Sequence, residues 1–369
     1  MSAPDHLAVY LSNSCNLACS YCYVAVNQGP QAALTFEDIK KSVDHFYDEV
    51  PSPNKKITFL GGEPLMNWPV FQKAAKYARE RAGGEDVVLQ TFTNGTLLTP
   101  DKLAFLDEVG CHVTISLDGR KAANDKNRVY FKAKDRSSFD DVMGRLEKLP
   151  KDNLGVSLVF TSETIDELLA NIDFFYKLGF GRITFNPELY ETWSEEKLEV
   201  MRVQLRGLAR WYKLLMEKGA RVPQIQILYS VLQNTEANKA GLKWWHDCHN
   251  VVLGPDAHYY ACDKALTFPV GHAKDQRIGG PGRGFDVAAQ RDHFDRAIAK
   301  IEKLGAGDDE IFCPMGVYFY AEEAKKDPAP LVANFEKVAR TFADGLLDLV
   351  SQVERYPAFQ EMYVRARVV

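Results

Sequence analysis

The sequence predicts an α/β protein: a partial (β/α)6 barrel followed by a small C-terminal α+β domain and closing helices. Three observations predict it. As far as residue 220, short apolar runs rich in Val, Ile, Phe and Thr alternate with longer helical patterns. Strands that alternate with helices in this way pair in parallel through right-handed crossovers, and six such units suit an incomplete barrel. Beyond residue 220 the alternation stops and Gly- and Pro-rich segments take over, so we place the boundary near 222 and read domains 1–222 and 223–369. A chain of 369 residues is also longer than one hydrophobic core usually serves.

The strands are expected at Leu7–Leu11, Lys56–Leu60, Val87–Thr93, His112–Ser116, Val156–Thr161 and Arg182–Asn186. A helix over Phe36–Val50 follows Thr35 as N-cap, and Trp68–Ala82 stops at Gly83-Gly84. Pro100–Val109 follows Thr99, Ser138–Leu149 follows a charged linker, and Thr164–Leu178 ends at Gly179. Ser194–Gly219 is the longest helix of the barrel region. Asn250 to Lys264 reads as a hairpin: Val251 to Leu253, a turn at Gly254-Pro255-Asp256, then Tyr259 to Cys262. Helices over Asp286–Leu304 and Leu331–Val353 close the chain, the first after Gly279-Gly280-Pro281-Gly282 and the second after Pro328 and Pro330.

Composition narrows the function classes. Hydrophobic residues make up 46% and charged residues 26%, as in ordinary globular proteins. The net charge of −5 gives a nucleic-acid role no support and suits a basic leader peptide or basic partner. Met1 to His6 is polar, Leu7 to Leu11 is too brief for a signal's apolar core, and no apolar run reaches membrane-spanning length. The expectation is a cytoplasmic protein. Seven cysteines, at 15, 19, 22, 111, 248, 262 and 313, are then metal ligands or buried thiols rather than disulfides. Cys111 borders a strand and reads as a buried thiol.

Cys15, Cys19 and Cys22 directly follow the first strand. Three thiolates on one tight loop can hold three irons of a cubane and leave the fourth iron open. A structural zinc would want a fourth nearby Cys or His, and His6 precedes the strand. The Cys-x3-Cys-x2-Cys pattern, with Tyr21 before its last cysteine, resembles the radical SAM superfamily over about residues 7–190. That resemblance implies a [4Fe–4S] cluster whose open iron chelates S-adenosylmethionine, which is cleaved to a 5′-deoxyadenosyl radical. An external low-potential electron donor is implied as well.

Gly61-Gly62-Glu63-Pro64, at the end of the second strand, is a plain turn by itself. One barrel unit after the cysteine loop, it looks like the family's methionine-binding motif, with Glu63 accepting from the amino group. Thr93-Asn94-Gly95 ends the third strand, and Asn94 there is either a turn residue or a cofactor contact. Ser116 and Asp118, in Ser116-Leu117-Asp118-Gly119, are candidate ribose contacts. Arg128, in Asn124-Asp125-Lys126-Asn127-Arg128, resembles the arginine that binds the cofactor carboxylate in the subgroup containing anaerobic sulfatase maturases. The alternative for Arg128 is a surface salt bridge. That subgroup often has His where this chain has Asn124.

Cys248 and Cys262 flank the hairpin, and Gly254 to Asp263 resembles the C-terminal auxiliary-cluster domains called SPASM and twitch. A full SPASM domain carries seven cysteines and two clusters. Cys248, Cys262 and Cys313 can supply one auxiliary iron–sulfur cluster, with its fourth site open or filled by Asp247, His249 or His246. A zinc site and unligated core thiols are the other readings. Asp263 matches the place of the sulfatase maturases' proposed proton acceptor, against the alternative of an exposed hairpin-end carboxylate. Trp244-Trp245 and Tyr259-Tyr260 are core residues or a substrate channel.

Such cluster-bearing domains accompany enzymes that modify ribosomally made peptides by crosslinking, oxidation, epimerisation or excision. The resemblance therefore implies a precursor peptide substrate. Because the barrel begins by residue 7, leader recognition is expected from a separate small partner protein or from the C-terminal region. The competing readings are a radical dehydrogenase or rearrangement enzyme of a small metabolite, and a non-catalytic iron–sulfur protein. The Gly61–Pro64 motif, Ser116 and Arg128 weigh against the last, since electron transfer needs no S-adenosylmethionine pocket.

Overall fold

The computed structural model describes residues 4–50, 52, 54–84, 86–151, 154–239, 248–267, 269–280, 282–304, 313–316 and 327–366. Trp244, Trp245, His246 and Asp247 lie outside these residues. The protein is a mixed α/β chain with a parallel sheet, and its residues fall into two compact units. One holds residues 1–116, 125–149 and 246–300; the other holds 117–124, 150–245 and 301–369.

In the first unit, β1 (His6–Tyr10), β2 (Lys55–Leu60), β3 (Val87–Thr93) and β4 (Cys111–Ser116) lie side by side in parallel. Leu7, Val9, Ile57, Phe59, Leu89, Thr91, Val113 and Ile115 face one side and are fully buried or nearly so. Helices α1 (Phe36–Glu49), α2 (Trp68–Ala82) and α3 (Pro100–Glu108) follow the first three strands. The Phe59 ring meets Phe71 of α2 at 5.0 Å between centroids, so helices cover that side. On the other side β3 is only half-buried, at Val88, Gln90 and Phe92. A parallel strand covered on both faces reads as a continuous apolar run; the alternation in Val87–Thr93 records a sheet covered on one face.

Capping chemistry sets the helix ends. Thr35 and Asp38 form a reciprocal capping box at the start of α1. Thr99 and Ser137 cap α3 and α5 (Ser138–Leu146). Two differences from expectation have clear causes. Helix α4 (Lys121–Asn127) lies in the stretch read as a charged linker. Its buried face consists of Ala123, Asn124 and Asn127, so it has no apolar stripe to detect. The next strand, β5, runs Leu154–Phe160 rather than Val156–Thr161, because the Thr161 amide turns to the Thr164 hydroxyl.

The expected hairpin is present: β8 (Asn250–Leu253) pairs antiparallel with β9 (Tyr259–Tyr260), with Val252 opposite Tyr260. It continues the parallel sheet, since β8 also pairs in parallel with β1, Asn250 opposite His6. β10 (Arg277–Gly280) and β11 (Gly284–Phe285) extend this edge, ahead of α9 (Val287–Glu302). Polar side chains tie the new edge to the old sheet. The two ring nitrogens of His6 reach Asn250 Oδ1 at 2.5 Å and Thr58 Oγ1 at 2.7 Å, and Gln90 donates to the same Thr58 oxygen at 2.8 Å.

In the second unit, β6 (Arg182–Pro187) lies in parallel between β5 and β7 (Gln224–Ile225). Helices α6 (Leu168–Leu178), α7 (Glu195–Glu217) and α8 (Gln226–Lys239) accompany them, with α10 (Pro328–Val353) and α11 (Pro357–Ala366) last. Helix α10 starts at Pro328 rather than Leu331, because Asp327 caps it and proline is at home in a first turn. Phe342 of α10 meets the Phe160 and Phe185 rings of the strands at 5.7 and 5.8 Å. Among the described residues, no helix is long and apolar enough to cross a membrane.

Candidate active site

The site grows from the loop between β1 and α1, in the first unit. Cys15, Cys19 and Cys22 lie on it, the first two half-buried and Cys22 exposed. Four sets of contacts hold its backbone. The Cys15 amide donates to Asn27 Oδ1 at 3.1 Å, and Asn27 Nδ2 donates back to the Cys15 carbonyl at 2.9 Å. Asn27 manages this from the left-handed region, at φ 58°.

The second set comes from the turn after β2. Gly62 and Glu63 donate their amides to the carbonyls of Ser12 (2.8 Å) and Ser14 (2.9 Å). A Cβ at Gly62 would sit 2.1 Å from the Ser14 carbonyl oxygen, and one at Gly61, whose φ is 151°, would sit 2.9 Å from that of Ser12. The glycine pair is therefore required by the cysteine loop itself.

A third contact is a closed ring at the end of β3. Asn94 Nδ2 donates to Asn16 Oδ1 (2.8 Å), Asn16 Nδ2 donates to Thr96 Oγ1 (2.8 Å), and that hydroxyl donates to Asn94 Oδ1 (2.7 Å). The fourth is a strap of residues 127–131. Ala18 and Ser20 donate their amides to the carbonyls of Val129 (2.8 Å) and Asn127 (3.0 Å), and Phe131 donates to Asn16 (2.9 Å). Asn16, Asn27 and Thr96 were not singled out from the sequence. Asn16 lies between the first two cysteines and Thr96 one residue past Asn94-Gly95, so their positions carried the only signal.

Glu63 is buried and accepts from the Leu65 amide (3.0 Å) and Thr93 hydroxyl (2.6 Å) on one oxygen and the Asn94 amide (2.8 Å) on the other. Burial pushes its carboxyl above the ordinary range, against these hydrogen bonds. Burial also pushes the Cys15 thiol up, and the neighbouring Glu63 carboxylate, then Cys19 and Cys22, push the same way. Opposing them, Leu17 donates its amide to Cys15 Sγ at 3.4 Å, and Asn94 Nδ2 lies 3.9 Å from the same sulfur.

Arg128, 7% exposed, follows α4 in the strap. Its guanidinium lies over the Tyr21 ring, 5.4 Å from the centroid, with Nη1 4.0 Å from Cys19 Sγ. Ser116 is half-buried at the C-terminal end of β4, one residue past the Thr93–Ile115 pair. Asp118 belongs to the second unit; its Oδ1 accepts the Val159 amide at 3.0 Å, and its own amide donates to Asn124 Oδ1 at 3.2 Å.

The hairpin brings Asp263 to the same loop. Tyr23, next to Cys22, donates its hydroxyl to Asp263 Oδ2 at 3.2 Å and meets the Tyr10 hydroxyl at 2.9 Å. Lys264 Nζ is 3.4 Å from the same carboxylate and 3.8 Å from the Tyr23 ring centroid. Burial pushes the Asp263 carboxyl up, but the Lys264 ammonium and the hydrogen bonds from Tyr23 and Cys262 outweigh it and hold it below its ordinary value. Cys262 is buried, and extending the β8–β9 register by two residues sets it opposite Asn250, two residues past Cys248. His249 Nδ1 lies 3.6 Å from Asp5. Cys313 is half-buried in the second unit. Tyr259 and Tyr260 are buried, Tyr259 donating to the Ser42 hydroxyl and Tyr260 to Asp256.

Among the described residues, no three Cys, His, Asp or Glu side chains converge closely enough to enclose a single metal ion. A cubane asks for a different arrangement, one thiolate per iron spread around its edges, and three cysteines on one strapped loop suit that.

Known proteins resemble this chain over the same residues. The Radical SAM superfamily signature matches residues 9–202, more than half of the chain. A serine-type anaerobic sulfatase-maturating enzyme of Klebsiella aerogenes is 25% identical over 277 residues, 72% of this chain and 68% of that enzyme. The mycofactocin maturase MftC of Mycolicibacterium smegmatis is 31% identical over 241 residues, 60% of this chain and 54% of that protein. Among solved structures, anSMEcpe with bound AdoMet shares the fold with a TM-score of 0.71 at 18% identity, over 98% of this chain and 99% of that one. The same protein with bound AdoMet and Kp18Cys peptide gives 0.65 at 18% identity, over 99% of both chains.

Proposed function

The chain belongs to the radical SAM superfamily and is a radical SAM enzyme, and from that premise we propose that it modifies a ribosomally made precursor peptide. The family implies a [4Fe–4S] cluster and S-adenosylmethionine, and the residues on the loop suit both. Cys15, Cys19 and Cys22 would hold three irons, with the Leu17 amide already on Cys15 Sγ. Gly61, Gly62, Glu63, Asn94, Ser116, Tyr21 and Arg128 would line the cofactor, and the buried guanidinium beside Cys19 suits a carboxylate. When bound, the pair supplies a 5′-deoxyadenosyl radical that removes a hydrogen atom from substrate.

One observation carries the substrate reading: the Tyr23 hydroxyl on Asp263, which sets a carboxylate one side chain from Cys22. In our reading Asp263 receives the proton that the substrate loses once its hydrogen atom is gone. Lys264 and Tyr23 keep that carboxylate ionised and aimed, as a proton acceptor must be. The likeness to anSMEcpe, solved with a bound peptide, supports a peptide as the substrate class. A separate leader-binding protein, a low-potential electron donor, an auxiliary cluster on the C-terminal cysteines and a domain boundary near 222 complete the proposal.

The test incubates reduced, iron-loaded enzyme with S-adenosylmethionine and short precursor peptides encoded beside its gene. The expected result is a mass change in one peptide together with 5′-deoxyadenosine. Replacing Asp263→Asn should lower modified peptide well below 5′-deoxyadenosine, because hydrogen abstraction survives and proton removal does not. Turnover of a small metabolite with no change in any peptide overturns the proposal.

A further inference from the structure

Asn127 ends α4 and is 5% exposed. Two hydrogen bonds tie it to Ser20, which sits between Cys19 and Tyr21. Its carbonyl accepts the Ser20 amide at 3.0 Å, and its side-chain Oδ1 accepts the Ser20 hydroxyl at 2.9 Å. The other arm of the same planar carboxamide, Nδ2, is buried and has no hydrogen-bond partner among the described residues. Buried amide donors almost always have partners, because removing one from water without a replacement is costly.

The surroundings indicate what would satisfy it. Asn127 is pinned to the segment that carries Cys19 and Cys22, and the next residue, Arg128, lies 4.0 Å from Cys19 Sγ. The groups the family places here are thiolates, cluster sulfides and a carboxylate, all of them acceptors. Resting on the cofactor reading above, we propose that Asn127 is a further cofactor-binding residue whose Nδ2 donates to an anionic acceptor of the loaded site, a cluster sulfur or the S-adenosylmethionine carboxylate. Ser20 is its positioning residue: the hydroxyl holds Oδ1 and so fixes where Nδ2 points.

The experiment uses the full chain with its clusters reconstituted without oxygen. Two quantities are read: the midpoint potential of the cofactor-free cluster, identified by its EPR response when S-adenosylmethionine is later added, and the Kd for S-adenosylmethionine. Asn127→Ala removes the donor, and Ser20→Ala removes only the anchor. A donor on cluster sulfur stabilises the more negative reduced state, so its loss lowers the potential before any cofactor is added. A donor on the carboxylate leaves that potential alone and its loss raises Kd about tenfold, as a hydrogen bond to a charged group should.

In either case Ser20→Ala should change Kd by no more than about twofold, since it only frees the carboxamide to turn. If Asn127→Ala takes up no iron, Asn127→Leu, close to Asn in shape, uncharged and without a donor, replaces it and is read in the same way. The inference falls if Asn127→Ala matches wild type in both quantities. It also falls if Asn127→Ala and Ser20→Ala give equal changes, because Asn127 then serves only to anchor the loop. A wild-type chain that takes up no cluster, or binds no S-adenosylmethionine, overturns the cofactor reading instead.

Discussion

The two cysteine sets differ in what organises them. Cys15, Cys19 and Cys22 share one loop, which Gly62, Asn94, Asn27 and the 127–131 strap hold in shape. Cys248 and Cys262 flank a hairpin that strand pairing places, β8 on β1 and β9 on β8, while Cys313 lies in the other unit. Local spacing can specify a ligand set of the first kind. A set of the second kind depends on pairings that no short motif encodes. The largest predicted effect breaks this comparison directly. Replacing Cys15, Cys19 and Cys22 with Ala should abolish 5′-deoxyadenosine formation and lower iron from about eight to about four per chain. Cys262→Ala should lose about four irons and still release 5′-deoxyadenosine. Loss of all iron in the triple variant removes the auxiliary cluster from the proposal.

A smaller effect tests how far the first loop depends on its neighbours. Gly62→Ala puts a Cβ against the Ser14 carbonyl, a backbone atom that can yield only if the loop shifts. We expect lower iron at the first site with the second spared, and a stability cost on the order of 2–3 kcal/mol in urea unfolding. Gly144→Ala is the control. It meets nothing within 4 Å in helix α5 and should stabilise by about 0.5–1 kcal/mol.

The same contrast explains how much was legible in the sequence. Apolar alternation and caps gave the parallel strands and most helices, because those signals are local. The cysteine loop was legible for the same reason, whereas Glu63 and Arg128 were singled out only through the resemblance that this loop suggested. Helix α4 was not, since it buries asparagines where a helical pattern shows apolar residues. The hairpin was legible and its attachment to β1 was not, because the register of Asn250 on His6 joins positions far apart in the chain. Tyr23 on Asp263 was hidden likewise: each residue follows a cysteine, and nothing in either motif points to the other.

The smallest effect concerns that attachment. His6 is held by Asn250 of β8 and Thr58 of β2, so its ring spans the join between hairpin and barrel. Burial, then the nearby Lys56 ammonium, lower its pKa from 6.5 to about 3. The folded ring therefore stays neutral over a range in which the unfolded ring takes up a proton. Protons favour the unfolded chain there, so the stability this group contributes is complete above pH 6.5 and drains away as pH falls toward 3. The slope is at most about 1.4 kcal/mol per pH unit, the value for one proton. His6→Gln keeps a donor and an acceptor at the join but has nothing to titrate. Urea unfolding of wild type and variant should differ most at pH 7.5, with wild type the more stable, and converge or cross by pH 4.5, because only wild type carries the His6 penalty. Parallel stability curves over that range would mean that His6 takes up its proton at the same pH in the folded chain as in the unfolded one, and that the fold does not hold the ring neutral.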